Sequence, residues 1–179
     1  MLKSILIGLD GSPSSGAAVE LGIQWAKRFN LLLVGLGIVD EASICKPEAE
    51  PIGGGYYKRE RDEALMKKAC HEIEQLLEHF AARCTEADVS FKLLKETGLP
   101  YEAILQESQR YDLVLFGHET HFHFGTVDQP NETLWNVLKR EPRPVVISPR
   151  KLETGSSTVI AYNGSPQADR ALQAFQSSG

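Results

Sequence analysis

The sequence predicts an α/β fold: a five-stranded, mostly parallel sheet with helices on both faces. Two observations carry this. Short apolar runs alternate along the chain with amphipathic stretches of helical period. Several of those runs are almost wholly apolar, as strands buried on both faces must be, instead of alternating with polar residues.

The first strand is expected at residues 4–9 (SILIGL), and Asp10-Gly11-Ser12-Pro13 then turns the chain. Ser12 is a good N-cap and Pro13 suits a first helical position. The helix that follows places Ala18, Leu21, Trp25 and Phe29 on one stripe. Residues 31–39 form the second strand, and residues 40–59 a long irregular connection with three glycines at 53–55. A helix over 58–84 carries Leu65, Ala69, Ile73, Leu76 and Phe80. Residues 89–95 alternate, with Val89, Phe91 and Leu93 inward, and read as an edge strand. A short helix follows Gly98-Leu99-Pro100. DLVLFG (112–117) and PVVIS (144–148) are the last two strands. Between them lie an irregular loop at 118–130 and a helix at 131–140 with Leu134, Val137 and Leu138 facing in.

Bulk properties narrow the function. A net charge of −5 argues against a nucleic-acid partner, which needs a basic face. It leaves room for a small anion, since helix N-termini hold phosphates with backbone N–H groups. The three cysteines, Cys45, Cys70 and Cys84, lack paired spacing and are read as free thiols in a reducing cytosol. No run approaches the roughly 18 apolar residues of a membrane span. A cytoplasmic location is expected.

An internal repeat sets the domain organisation. After a polar linker, residues 159–174 (VIAYNGSPQADRALQA) match residues 6–21 (LIGLDGSPSSGAAVEL), with Gly-Ser-Pro identical and the apolar positions aligned. Residues 1–150 are therefore read as one complete domain. Residues 151–179 are read as a linker plus the first strand and partial first helix of a second.

The strand ending in Asp10-Gly11-Ser12, the strand ending in Val39-Asp40, the DLVLFG strand and the Arg-Pro-Val-Val-Ile strand together resemble the universal stress protein family. The repeat resembles its tandem members. The resemblance implies a Rossmann-like sheet, adenine nucleotide alpha hydrolase-like, with strand order 3-2-1-4-5. It also implies pairing through the last strand, as a homodimer or as a pseudo-dimer with a second such domain. A nucleotide site is implied at the carboxyl ends of strands one and four, where open α/β sheets take ligands. Asp10, Gly11, Val39 and Gly117 are its candidate contacts, with Asn131 and Glu132 at the start of the last helix, and ATP the candidate cofactor.

Nucleotide-binding members carry Gly-x-x-Gly, a spacer and then Gly-Ser or Gly-Thr before the last helix. Here Gly117 supplies the first glycine, but Thr120 replaces the second, and Asn131-Glu132 fall where Gly-Ser belongs. A carboxylate at that helix start repels a triphosphate, and the pair reads better as a self-capped helix. Gly125-Thr126 and the glycines at 53–55 lack the expected spacing.

His118, His121 and His123 form a second constellation beyond the fourth strand, a candidate metal site if the imidazoles converge. No nucleophile elbow is present, and Ser12 is explained as a cap, so no catalysis is expected. Two readings follow. One is a non-enzymatic stress-response module, binding or regulatory, with a degenerate nucleotide site. The alternative is an adenine-nucleotide-binding switch; a metal-binding module is a third.

Overall fold

The computed structural model describes residues 2–47, 55–122, 132–152 and 162–178. Among the described residues eleven elements run in the order β1 (Ser4–Gly8), α1 (Pro13–Phe29), β2 (Leu32–Val39), α2 (Glu41–Ile44), α3 (Gly55–Glu86), β3 (Phe91–Thr97), α4 (Pro100–Ser108), β4 (Leu113–Gly117), α5 (Glu132–Arg140), β5 (Val145–Ser148) and α6 (Pro166–Ser178). The sheet has five strands in the order β3-β2-β1-β4-β5. Each neighbouring pair is parallel.

Alternate residues of the strands feed two cores. Ile5, Ile7, Leu9, Leu33, Leu113 and Leu115 pack with residues of α1 and α3. Leu6, Val34, Leu36, Ile38, Val114 and Phe116 pack on the opposite face, with Ile104 of α4 and Val137 of α5. Both faces are thus dry, which is why the strands read as unbroken apolar runs.

The two halves of the sheet are also pinned at their starting edge. Asp112 accepts the Lys3 amide at 2.8 Å, the Ser4 amide at 3.0 Å and the Ser4 hydroxyl at 3.1 Å. Burial alone would raise its carboxyl above the ordinary 3.8, but those donors win and hold it lower. A depressed carboxylate stabilises the fold fully above its unfolded pKa and loses that contribution as pH falls through the folded value. Acid titration of stability should therefore fall less steeply below pH ~4 in Asp112→Asn than in the parent. Identical acid limbs would mean that the clamp contributes nothing.

Several elements differ from the sequence expectation. In α1 the face against the sheet is built from Ala18, Val19, Gly22, Ile23 and Ala26, while Leu21 and Trp25 flank it half-buried and Phe29 is exposed. Small residues win that face because the helix lies very close: a Cβ on Gly22 would come 2.5 Å from Ile7 Cδ1. The connection after β2 is not wholly irregular. Asp40 caps the short α2 by accepting the Ser43 amide at 3.1 Å and the Ser43 hydroxyl at 2.5 Å.

In α3, Ala69, Ile73 and Phe80 are buried as expected, joined by Leu77 and Cys84. Burial raises the Cys84 thiol to about 11, so it stays protonated and inert at neutral pH. β3 is an edge strand as expected, but Leu93 points to solvent and Leu94 packs inward. In α5 Val137 is buried and Leu134 packs on the core, whereas Leu138 is exposed.

The strand expected near residues 158–161 lies outside the described residues, but its turn and helix are present. At the first turn Gly11 has φ 77° and at the second Gly164 has φ 73°. The Ser12 amide donates to Asp10 Oδ1 at 3.0 Å, and the Ser165 amide to Asn163 Oδ1 at 3.0 Å. The hydroxyl of Ser12 caps α1 through the Ser15 amide, and that of Ser165 caps α6 through the Ala168 amide. The repeat seen in the letters is thus a repeat in hydrogen bonds. α6 spans 13 residues, against 17 in α1.

Candidate nucleotide site

β1 and β4 are neighbours, so Asp10 and Gly117 arrive side by side at the carboxyl edge of the sheet. Asp10 is 5% exposed. Its Oδ1 accepts the Ser12 amide, and its Oδ2 accepts the His121 amide at 2.9 Å. Behind it, Ser15 Oγ donates to the Gly8 carbonyl at 3.2 Å and lies 3.4 Å from the Asp10 amide. Val39, at the same edge of β2, is buried, and its carbonyl accepts the Gly98 amide at 3.0 Å.

Gly117 is required by proximity. A Cβ there would lie 2.5 Å from Ser14 Oγ and 2.6 Å from the Ser15 amide nitrogen. Strand β4 therefore ends flush against the N-terminus of α1, the anion-favouring end of a helix. One of its N–H groups is already served from inside, that of Ser15 by Ser12 Oγ at 3.1 Å. The Ser12 and Ser14 hydroxyls lie 3.0 Å apart, and Ser14 Oγ accepts the Glu119 amide at 3.2 Å.

The chain after β4 folds back over this edge. Thr120 donates its amide to the Gly117 carbonyl at 3.1 Å, closing a tight turn. Thr120 is buried, and its hydroxyl has no hydrogen-bond partner among the described residues. Phe122 follows with φ 57°, a left-handed conformation that costs an ordinary residue about 1–2 kcal/mol. Its ring is fully buried, edge-on to Phe116 at 6.3 Å between centroids. A Cβ on Gly8 would come within 2.7 Å of it.

Charge at the rim is mixed. Arg150 grips Glu119 with two nitrogens, Nε at 2.7 Å from Oε2 and a terminal nitrogen on Oε1. That guanidinium holds the Glu119 carboxyl below its usual range, with His118 and His121 adding smaller pulls. The His118 ring lies 3.9 Å from Glu119 Oε1.

The structure thus brings Asp10, Gly11 and Gly117 together, with Val39 on the neighbouring strand. Asn131, His123 and Gly125-Thr126 lie outside the described residues, as does the side chain of Glu132. Of the three glycines at 53–55, Gly55 begins α3 and the other two are outside. Among the described residues no three metal-ligating side chains cluster. His118 and His121 join the site differently from a ligand pair, one ring beside Glu119 and one backbone N–H on Asp10.

The sequence does not single out Ser14, Phe122 or Arg150, and marks Thr120 only as the residue in place of the second glycine. The Ser-Pro-Ser-Ser run was a usable signal for Ser14, since hydroxyls gather where helices start. Nothing local marked Phe122. Two hollows lie elsewhere on the surface. One of about 660 Å³ is bordered by Cys45, Lys58, Asp62 and Met66, the other, of about 300 Å³, by Asn30 and Ala87. Neither touches Asp10 or Gly117, so the chemistry of the edge, and not hollow size, identifies the site.

Comparisons agree with the fold. Curated proteins give no match. Among solved structures, a universal stress protein in complex with cAMP is 18% identical with TM-score 0.56, covering 84% of this chain and 98% of its own. A family protein from Arabidopsis thaliana with AMP bound is 19% identical, TM-score 0.54, covering 83% and 92%. Universal stress protein UspA from Lactobacillus plantarum is 20% identical, TM-score 0.57, covering 82% and 97%. These likenesses establish the shared fold. A sequence profile described as the universal stress protein family matches residues 1–149, so the chain belongs to the universal stress protein family.

Proposed function

We propose that this chain is a non-enzymatic regulatory module whose nucleotide site is degenerate and occupied by the chain itself. One observation carries the reading. Asp10 is buried, and each of its carboxylate oxygens already accepts a backbone amide, from Ser12 and from His121, so an incoming sugar hydroxyl meets a half-satisfied group screened from solvent. At the helix end beside it, the Ser15 amide is taken by Ser12 Oγ and the nearby Glu119 amide by Ser14 Oγ. Glu119 adds negative charge at the rim, and its countercharge, Arg150, is already engaged. An anionic ligand therefore meets paired groups where it needs open donors.

The second reading, an adenine-nucleotide switch, draws support from the cAMP- and AMP-bound relatives of the same fold. Calorimetry with magnesium-ATP and with AMP decides between them. The expected result is no micromolar binding to the parent. Micromolar binding abolished by Asp10→Ala would favour the switch instead.

The module is proposed to act in the cytoplasm and to pair through β5. That strand is the last in the sheet order, and Val145, Val146 and Ile147 are only half-buried. A homodimer or a pseudo-dimer with a second domain of this type would cover them. Among the described residues, no helix is long and apolar enough to cross a membrane. The His118, His121 and His123 loop as a metal site draws no support from a described cluster, and stoichiometric zinc without histidine NMR shifts would remove it.

A further inference from the structure

We propose that residues 118–122 form an autoinhibitory strap: they hold the nucleotide crevice shut by occupying its polar groups and plugging its floor. This rests on the reading of the carboxyl edge as a nucleotide site and specifies how that site is regulated.

Three independent features point the same way. First, the strap satisfies the groups a nucleotide would use. The His121 amide sits on Asp10 Oδ2 and the Glu119 amide on Ser14 Oγ, so two backbone N–H groups stand in for ligand hydroxyls. Second, Phe122 is driven into the apolar core over Gly8 and Phe116 although its backbone must adopt φ 57° to get there. Left-handed backbone at a non-glycine residue persists only where its surroundings enforce it, and such sites gather at switches and clamps. Third, the fit is incomplete. The Thr120 hydroxyl is buried with no partner among the described residues, a cost the closed strap carries and an open one sheds.

The strap also has an outer fastening. Glu119 is tied to Arg150, two residues beyond the end of β5 and at the head of the connection to the second Gly-Ser-Pro repeat. Opening the strap breaks this bridge. A ligand that wins Asp10 therefore also frees Arg150, so occupancy of the crevice is reported to the segment that leads toward the repeat.

The test uses the full chain and AMP as the probe, in two variants of different risk. Arg150→Gln loosens the fastening at an exposed position and leaves the core untouched. It should tighten AMP binding about two- to fivefold, the scale of one exposed ion pair. Phe122→Ala removes the plug and should tighten binding tenfold or more. Amide hydrogen exchange supplies a second readout. With AMP saturating Arg150→Gln, the Glu119 and His121 amides should exchange faster, because the ligand has displaced them.

Equal affinity in the parent and both variants, or slower exchange of those amides on binding, overturns the strap and leaves the nucleotide reading standing. No binding by any of the three proteins overturns the strap and the switch reading, and leaves the degenerate site of the proposed function standing.

Discussion

Replacing Phe116 with alanine should cost the fold about 3–5 kcal/mol, the range for deleting a buried phenylalanine. The ring is 1% exposed and sits on β4, where backbone hydrogen bonds to β1 and β5 prevent the chain from closing inward. Two of its contacts leave no substitute. Phe122 meets it edge-on, and Gly8 lies so close that a Cβ there would come 2.5 Å from the Phe116 ring. The hole left behind is framed by strand residues such as Leu6 and Val114, which cannot slide. Chemical denaturation should show a lower midpoint at unchanged slope, since the surface exposed on unfolding hardly changes. A midpoint within error of the parent would mean that this face of the sheet is not close-packed.

Gly117→Ala should also destabilise, by about 1–3 kcal/mol, for the opposite reason. Here an atom is added where none fits. Its nearest neighbours are the Ser14 carbonyl carbon, Ser14 Oγ and the Ser15 nitrogen, which belong mostly to backbone in the first turn of α1. A side chain tip can rotate away, but a helix start cannot do so alone. The end of β4 must part from α1, and the Glu119–Ser14 hydrogen bond is the first casualty. Glycine-to-alanine changes normally gain about 0.4–1 kcal/mol by restraining the unfolded chain, too little to compensate. Denaturation gives the magnitude, and amide NMR shifts confined to Ser14, Ser15 and Glu119 would give the cause. A neutral or stabilised variant would show that strand and helix are not in contact.

Legibility in the sequence followed the length scale of the physics. The strands could be read because burial on both faces leaves no polar gaps: Leu6 serves one core and Ile7 the other. The turn at Asp10 could be read because capping chemistry is local, complete within Ser12 and the next three residues. The facing of α1 was harder. Hydrophobic period alone favoured Leu21, Trp25 and Phe29, yet closeness to the sheet rewarded Gly22 and Ala26 instead. Leu93 and Leu138 were misplaced because apolar type does not report which side of an element finds a partner. The candidate site divides in the same way. Asp10 and Gly117 were legible from the turn and from the family pattern. The return of His121 onto Asp10, across 111 positions, was not, because no residue between them advertises a contact made by backbone.

The duplicated turn bears on what Asp10 is for. At the second copy asparagine stands where the first has aspartate, and both accept the following serine amide at 3.0 Å. A neutral side chain thus shapes this bend as well as an ionised one. The chain carries its own isosteric comparison, one copy with a formal charge and one without. The bend alone therefore does not need the carboxylate at position 10. What the carboxylate adds is a second acceptor oxygen, the one turned away from the bend and toward the His121 amide.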